Sequence, residues 1–437
     1  MIIEKGIPTF VLILLILTSS VLTALGFNSY EPWITALLWT IGIILFFVCC
    51  IQTSNLNQIE IVLFILSLMV CMGYVYSRAI GHDISEALVK KGDAYGFWKR
   101  AVSYWNGESI SRYTIMPYVL NLEFHIFDQN YLCCILFNVL FCELAIFNLL
   151  LYAGKKLRAL ADIFSITLIC FFPYLFKIAS SLWREAMYVL FLSFSFYFFM
   201  QYVENRKLRN LYLSVLLTVP VLLGHSGYFP IPLVYFVASL LMNDANNRKN
   251  IGVFVIEMIL LFVFVRIVMQ FNSIDYLTGG KSSDIDDFFN RLAGSDSDLN
   301  AGSAYLVGFK ASNWVQVVLF APIRLVFYMF SPLPVNWRGL RDIGTFVFDS
   351  LLHFIIMYKA IKVLLIYRNT DAKNMNEYQI VKWGLLCYLS AAMVFAMGTR
   401  TAGTAIRHRD AVVAIELFVF INARYLENGI WQQQIEA

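Results

Sequence analysis

Arginine, histidine and acidic residues recur at the ends of long apolar segments in this chain. Arg184 and Glu185 directly precede one such segment, and His225 lies in the sequence GHSG between two others. A guanidinium group can grip a phosphate at two points, and a histidine or a carboxylate can transfer a proton. These residue types point to a site for an anionic, phosphate-bearing ligand with acid–base chemistry.

The composition places these residues in a membrane protein. Of the 437 residues, 59% are hydrophobic and only 14% are charged, whereas soluble domains carry about 25% charged residues. The mean hydropathy is +0.68, and the net charge of +4 gives no support to a nucleic-acid partner. We therefore expect an all-α polytopic membrane protein with one integral domain over residues 1–437.

Twelve apolar segments are candidates for transmembrane helices, each of which needs roughly 20 residues. They lie near residues 8–26, 33–51, 58–76, 130–153, 160–178, 184–203, 210–223, 226–242, 251–271, 343–363, 377–397 and 405–424. A further apolar stretch at 314–330 is interrupted by Ala321-Pro322, carries Arg324 and is followed by the sequence SPLP. We expect about 12 transmembrane helices, with this stretch re-entrant or interfacial.

Short basic loops fix the expected orientation, because such loops stay in the cytoplasm. The loops are GKKLR at 154–158, ENRKLR at 204–209, NNRKN at 246–250 and YRNTDAK at 367–373. All of them fall on the cytoplasmic side, together with both termini, if the stretch at 314–330 does not cross. The exterior then holds two long loops, near 77–129 and 272–313.

In this layout, charged residues gather at the exterior ends of the spans, against the positive-inside bias. The candidate diphosphate-binding residues are Arg184, Arg324, Arg338, Arg341, Arg400, Arg407, His408 and Arg409. Ions at the membrane boundary are functional candidates by default. The alternative is that these side chains extend towards water or pair with local acids such as Asp342 and Asp410.

The acid–base candidates are Asp93, Glu185 and His225. Asp93 lies in the first long exterior loop, in the aromatic-rich sequence GDAYGFWKRAVSYW. Aromatic faces and carboxylates suit sugar rings, and Asp93 could act as a general base on an acceptor hydroxyl. A solvated loop beside an interfacial aromatic belt fits this sequence equally well.

The sequence predicts neither a metal nor a cofactor. The segment Asp275–Tyr305 contains DIDD but lacks the spacing and the closing glutamate of a calcium loop. We expect it to form an acidic cover over the basic site. The eight cysteines lie in or beside apolar runs without zinc spacing, which favours buried hydrophobic residues.

The order of these motifs resembles that of the EpsG/Wzy-like polysaccharide polymerases. In that family an Arg-Gln pair, a span, a lysine-rich turn and a second span lead to Phe-His-x-Ala. The corresponding residues here are Arg184-Glu185, Arg206-Lys207 and Gly224–Tyr228. Glu replaces Gln, and Gly precedes the histidine. The acidic sequence around Asp93 is also similar to the family's first large exterior loop, so that the resemblance covers about residues 90–240.

The resemblance implies a glycosyltransferase of the bacterial plasma membrane. It would polymerise oligosaccharide repeat units carried on undecaprenyl diphosphate into an O-antigen, capsule or exopolysaccharide at the outer face. The implied partners are the lipid-linked oligosaccharide, membrane lipid, a flippase and a chain-length regulator. Arginines would stabilise the charge that develops on the diphosphate leaving group, so that a divalent metal is not required.

Two alternatives stay open from the sequence. A GT-C-type glycosyltransferase would add one sugar from a polyprenyl-phosphate donor, and an acid in the first large exterior loop resembles that class as well. A flippase for lipid-linked oligosaccharide would carry cations through the full depth of the membrane. In this sequence the middle of most spans is apolar, which favours an enzyme over a transporter.

Overall fold

A computed structural model describes residues 7–25, 32–79, 93–108, 115–157, 162–242, 304–306, 314–369, 376–399 and 401–436. Within these ranges the chain is helical and contains no strand. Five of the helices are long and apolar enough to cross a membrane. The expectation of an all-α membrane protein is confirmed at this level.

Contacts between residues divide the chain into two compact units, Met1–Leu190 and Phe191–Ala437. The helices of the first unit are α1 (Ile7–Ala24), α2 (Pro32–Gln52), α3 (Gln58–Ala79), α4 (Asp93–Trp105), α5 (Met116–Phe127), α6 (Tyr131–Lys156), α7 (Ile163–Cys170), α8 (Pro173–Ala179) and the start of α9 (Glu185–Asn205). The central helix is α6, which packs against α2, α3, α7 and α8. Its first turn is capped by the side chain of Asn130, which accepts a hydrogen bond from the Cys133 N–H.

Two predictions for the first unit can be compared with its helices. The span predicted near 160–178 consists of the two short helices α7 and α8. Pro173, the first residue of α8, has no N–H to continue the preceding helix. The exterior loop predicted near 77–129 contains α4 and α5, which pack against each other.

The second unit contains the rest of α9 and the helices that follow it. These are α10 (Leu208–Leu216), α11 (Val219–Gly224), α12 (Pro230–Met242), α13 (Trp314–Phe330), α14 (Leu340–Thr345), α15 (Leu351–Ile366), α16 (Asn376–Gly398), α17 (Ala402–Asp410) and α18 (Val413–Glu436). A π-helical turn, Phe346–Ser350, joins α14 to α15. The central helix is α16, which packs against α12, α13 and α18.

Gly384 allows this close packing around α16. A Cβ atom at this position would clash with Cγ2 of Val419 in α18 and would lie 2.7 Å from Cζ of Phe196, closer than real Cβ atoms approach a neighbour. Any larger residue would therefore push α16 away from the ring of Phe196.

The sequence predicts interruptions at two places in the second unit. The break at GHSG is confirmed, because α11 ends at Gly224 and a 3-10 turn covers Ser226–Tyr228 before α12 begins. The apolar stretch at 314–330, in contrast, is one continuous helix through Pro322. A proline inside a helix removes one backbone hydrogen bond. Despite this loss, α13 continues through Pro322, and it packs against α16.

Several sequence predictions fall outside the described residues. These are the span at 251–271, most of the exterior loop at 272–313 with its aspartates, the basic loop at 246–250, and Arg400.

Candidate functional site

Arg184 lies in the turn that leads into α9, in the first unit. Its side chain is largely buried, and its guanidinium carbon lies 5.5 Å from the centroid of the Phe97 ring. The Tyr188 ring lies 6.0 Å from the same carbon, and Nε is 3.6 Å from Oε1 of Glu185. Aromatic faces and a carboxylate therefore hold the guanidinium group in one place, which suits it to bind an anion without further ordering.

The contact with Phe97 connects Arg184 to the helix that begins at Asp93. In α4, Ala94, Phe97 and Ala101 are buried, a spacing that gives the helix one buried face. Asp93 is the first residue of α4 and is exposed. The structure thus brings together two predicted motifs of the first unit, the acidic loop sequence and the Arg-Glu pair.

Side chains from α3 and α6 hold the turn that precedes Arg184. Nη1 of Arg78 lies 3.3 Å from the carbonyl oxygen of Ser180, and Nδ2 of Asn138 donates to the carbonyl oxygen of Ser181 over 2.7 Å. The sequence interpretation did not single out either residue. A polar or charged residue inside or at the end of an apolar segment was the available signal.

In the second unit, His225 and His408 lie side by side although they come from distant motifs. Their ring centroids are 5.0 Å apart. Phe395 packs against both, at 4.8 Å from the His225 ring and 4.6 Å from the His408 ring. The Tyr228 hydroxyl donates to the backbone carbonyl of His408 over 3.2 Å, which ties the GHSG break to α17.

A backbone hydrogen bond determines how the His225 ring can act. The N–H of Gly227 donates to Nδ1 of His225 over 3.1 Å. Nδ1 must then carry a lone pair, so that in the neutral ring the proton is on Nε2. This arrangement makes His225 a hydrogen-bond donor at Nε2, and it favours contact with an anion over the general-base role considered from the sequence.

Arg409 is fully buried, and its nitrogen atoms contact the protein itself. Nη1 donates to the backbone carbonyls of Tyr328, Met329 and Ser331 at 3.2, 3.0 and 2.9 Å. Nη2 donates to the carboxylate of Asp349. The last carbonyl groups of a helix have no hydrogen-bond donor within that helix. At the C-terminal end of α13, Arg409 is the donor to these groups. These contacts favour a structural role for Arg409 over direct binding of a diphosphate.

The remaining predicted cations have different surroundings. Arg407 is half-buried at the end of α17. Arg324 is buried in α13, and its Nη1 donates to the carbonyl oxygen of Met397 over 2.9 Å. Arg338 and Arg341 are exposed, and within the described ranges neither contacts His225 or His408.

A group of buried ionisable side chains in the second unit was missed from the sequence. Nδ1 of His353 lies 2.5 Å from Oε2 of Glu416, and its Nε2 lies 2.8 Å from Oδ1 of Asp410 and 3.5 Å from Oδ1 of Asp349. All four side chains are buried beside Arg409. The available signal was the presence of Asp349, His353 and Glu416 within segments that are otherwise apolar.

Comparison with models of protein families, with curated proteins and with solved structures gives no match for this chain.

Proposed function

We propose that this chain polymerises oligosaccharide repeat units carried on undecaprenyl diphosphate at the outer face of the bacterial plasma membrane. The observation that carries the proposal is the pairing of His225 with His408, at 5.0 Å between ring centroids. Arg407 precedes His408 in the chain and is half-buried in the same helix. A residue predicted from the sequence for acid–base chemistry and one predicted to bind the diphosphate thus meet within one unit.

Polymerisation breaks the bond between the anomeric carbon of the growing chain and its lipid diphosphate. The diphosphate leaves with additional negative charge, which fixed hydrogen-bond donors and cations stabilise. We assign this role in the second unit to Nε2–H of His225 and to Arg407. In the first unit, the guanidinium group of Arg184 is the corresponding candidate, because aromatic rings already hold it in place.

The same reaction removes a proton from the acceptor hydroxyl of the new repeat unit. Within the first unit, which also holds Arg184, Asp93 is proposed as the general base, since it is exposed at the start of α4 and could reach a sugar hydroxyl. Glu185 differs from Asp93 in its surroundings. It is only 1% exposed, and its Oε1 lies 3.6 Å from Nε of Arg184. We assign it the role of orienting Arg184.

The proposed topology has about 12 spans, cytoplasmic termini and the charged groups above at the exterior. The parallel direction of α15 and α18 supports this topology. His353 and Glu416 pair near the starts of these helices, and Nζ of Lys359 pairs with Oε2 of Glu427 further along, at 2.7 Å. The two helices therefore run parallel, as two spans separated by one intervening crossing must do.

The contacts of Arg324 in α13, and of Ser331 directly after this helix, support the proposed re-entrant or interfacial position of α13. Arg324 contacts the carbonyl oxygen of Met397 at the end of α16, and Ser331 accepts a hydrogen bond from Arg409 of α17. In the proposed topology both partners lie at the exterior ends of their helices. A chain that stays near the exterior over these residues leaves the basic loop at 367–373 in the cytoplasm.

A flippase for the same lipid-linked oligosaccharide is the second candidate, and buried acids within the spans favour it. Glu143 lies in the middle of α6 and is 1% exposed, with Oε1 3.4 Å from the Ser67 hydroxyl. Ionisable residues at such depth often belong to ion or proton pathways. At least one span of the first unit therefore carries an ionisable residue near its centre.

Deletion of the gene in a cell that makes the polymer tests the proposal. We expect the long ladder of surface polysaccharide to disappear from gels. Complete single repeat units on the lipid should accumulate at the outer face, where impermeant glycan-modifying reagents reach them. Complete units confined to the inner face would support the flippase instead. Units that lack one sugar would support a GT-C-type transferase with a polyprenyl-phosphate donor. An unchanged ladder would contradict all three.

A further inference from the structure

We propose that Asp349, His353 and Asp410 bind a divalent transition-metal ion, and that Glu416 orients the histidine towards it. This inference is independent of the proposed polymerase activity, because it rests on a buried cluster in the second unit that the activity does not use.

The three residues offer their ligand atoms at close range. One carboxylate oxygen from each aspartate and a ring nitrogen of His353 all lie within 4.8 Å of one another. Asp349 and His353 are four residues apart and project from the same face, whereas Asp410 comes from the end of α17. Bonds of about 2.1 Å to a tetrahedral ion place ligand atoms roughly 3.4 Å apart. The separations at Nε2 are 2.8 Å to Asp410 and 3.5 Å to Asp349, close to this value. The largest separation among the three ligand atoms, up to 4.8 Å, would have to shorten for an ion to bind.

Glu416 determines which face of the histidine is available. Its Oε2 lies 2.5 Å from Nδ1 of His353, and in the neutral tautomer with the proton on Nδ1 it accepts that proton. In this tautomer Nε2 directs its lone pair at the carboxylate oxygens of Asp410 and Asp349. Acceptors that face each other repel unless a cation lies between them. A carboxylate that holds the distal N–H of a histidine is the usual outer partner of a metal-bound histidine.

The charges of the cluster also favour a divalent ion. The cluster contains three buried carboxylates and one guanidinium group, that of Arg409, which pairs with Asp349 and Asp410. With a neutral His353, two negative charges are left in this buried place. A proton on His353 would cancel one of them, whereas a divalent ion would cancel both. Within the described ranges, Oδ1 of Asp349 and Oδ2 of Asp410 are buried without a hydrogen-bond partner. Buried carboxylate oxygens in this condition are costly unless they are paired or coordinate a metal.

Arg409 does not compete for the ion. It donates to Oδ2 of Asp349, whereas Oδ1 of the same carboxylate faces His353. Asp349 thus bridges Arg409 to the proposed site, with one oxygen for each. The guanidinium group fixes the orientation of this ligand in the same way that Glu416 fixes the histidine.

The ligand set determines the class of metal. One imidazole nitrogen and two carboxylates suit Zn²⁺, Mn²⁺ or Co²⁺, whereas Ca²⁺ and Mg²⁺ prefer oxygen ligands alone. Because Asp410 ends α17, a bound ion would anchor the helix that also carries Arg407 and His408.

The test uses the full chain in detergent micelles, stripped with a chelator and then equilibrated with Zn²⁺, Mn²⁺ or Mg²⁺ in separate samples. After desalting, elemental analysis should find about one Zn²⁺ or Mn²⁺ per chain and little Mg²⁺. Addition of Co²⁺ should give absorption bands that differ from those of the aqueous ion. A wild-type chain that retains neither Zn²⁺ nor Mn²⁺ and leaves the Co²⁺ spectrum unchanged would overturn the proposal.

Variants locate the site. Asp410→Asn and His353→Gln should lose the bound ion, and Glu416→Gln should weaken Zn²⁺ binding by about 10- to 100-fold, as loss of an outer partner does. Glu427→Gln is the matched control, because it removes a carboxylate from the same helix, α18, at the contact with Lys359, and its affinity should equal that of wild type. Equal Zn²⁺ affinity in Glu416→Gln and wild type would exclude this site. That comparison also decides the matter if the first two variants do not fold.

Discussion

The ring of His225 lies 5.0 Å from that of His408, and Phe395 packs against both. His225 comes from the break between α11 and α12, and His408 comes from α17. The contact between the two rings brings the sequence GHSG next to the sequence RHRD. The position of the Gly227 N–H further makes His225 a donor at Nε2, which leads to the first prediction.

Substitutions at His225 should distinguish a donor from a base. Asn can retain an acceptor for the Gly227 N–H but has no group in the position of Nε2–H. Gln can place an amide donor near that position. We expect His225→Asn to reduce the polymerisation rate by about 10²-fold or more, the usual loss for one donor to a developing charge, and His225→Gln to retain more activity. If His225 is a base instead, both variants should be equally inactive at normal protein abundance.

Gly227→Ala should disturb the histidine pair through Phe395. A Cβ atom at Gly227 would lie 2.7 Å from Cζ of that ring, and overpacking of this kind costs about 1–3 kcal/mol of stability. We expect lower thermal stability and shorter polymer, with recovery when Phe395→Leu makes room.

Gly384→Ala provides the matched control for Gly227→Ala. It creates a clash of the same kind, with Val419 and Phe196 instead of Phe395. It should lower the melting temperature comparably but preserve polymer length in the protein that remains folded. Equal loss of polymer in both variants, at equal amounts of folded protein, would mean that Phe395 has no special relation to the activity.

Arg407 and Arg409 are separated by one residue but should respond differently to substitution by alanine. Removal of Arg409 leaves the carboxylate of Asp349 and three backbone carbonyls without their donor. Loss of one partner of a buried ion pair costs about 3–5 kcal/mol, so Arg409→Ala should fail to accumulate. Arg407→Ala should insert normally and lose polymer. Size-exclusion profiles and polysaccharide gels measure the two effects, and the reverse pattern would contradict the assignment.

Cysteine labelling tests the topology. Leu340 is 86% exposed and is expected at the exterior, whereas Lys207 lies in the expected cytoplasmic loop 204–209. Of the native cysteines, Cys49 is only partly buried, and the others are buried, so the background for labelling is Cys49→Ser. An impermeant maleimide added to whole cells should react with Leu340→Cys and not with Lys207→Cys. Labelling of the second and not the first would invert the proposed orientation.

The positions of several long helices can be predicted from the sequence, because the length of an apolar segment directly indicates a transmembrane helix. The boundaries of α2, α6 and α16 lie within a few residues of the predicted spans. Where a proline begins a new helix, as at Pro173, length alone misses the division. The helix through Pro322 shows the opposite case, because tertiary contacts with α16 accompany a proline that the sequence suggests as a break.

The candidate site was less predictable, because sequence gives residue types but not their partners. Arg407 and Arg409 look alike in RHRD, and only the carbonyls of α13 and the carboxylate of Asp349 show that Arg409 is committed to the fold. As a single histidine in an apolar segment, His353 does not stand out in the sequence. Its ring nitrogens contact Asp410 and Glu416, which are more than fifty residues away in the chain, so this cluster is visible only in the structure.

The central claim is the polymerisation of lipid-linked repeat units, and a reconstituted reaction with Arg184 variants tests it most directly. The lipid-linked units that accumulate in the deletion strain would be extracted and incubated with the purified wild-type chain. A second sample would contain the Arg184→Gln variant combined with Glu185→Gln, which removes both members of a buried pair and so avoids an uncompensated charge. We predict that the wild-type chain converts the units into a ladder of lengths, and that the folded double variant leaves them single. Units that stay single with the wild-type chain, or a normal ladder with the double variant, would contradict the account.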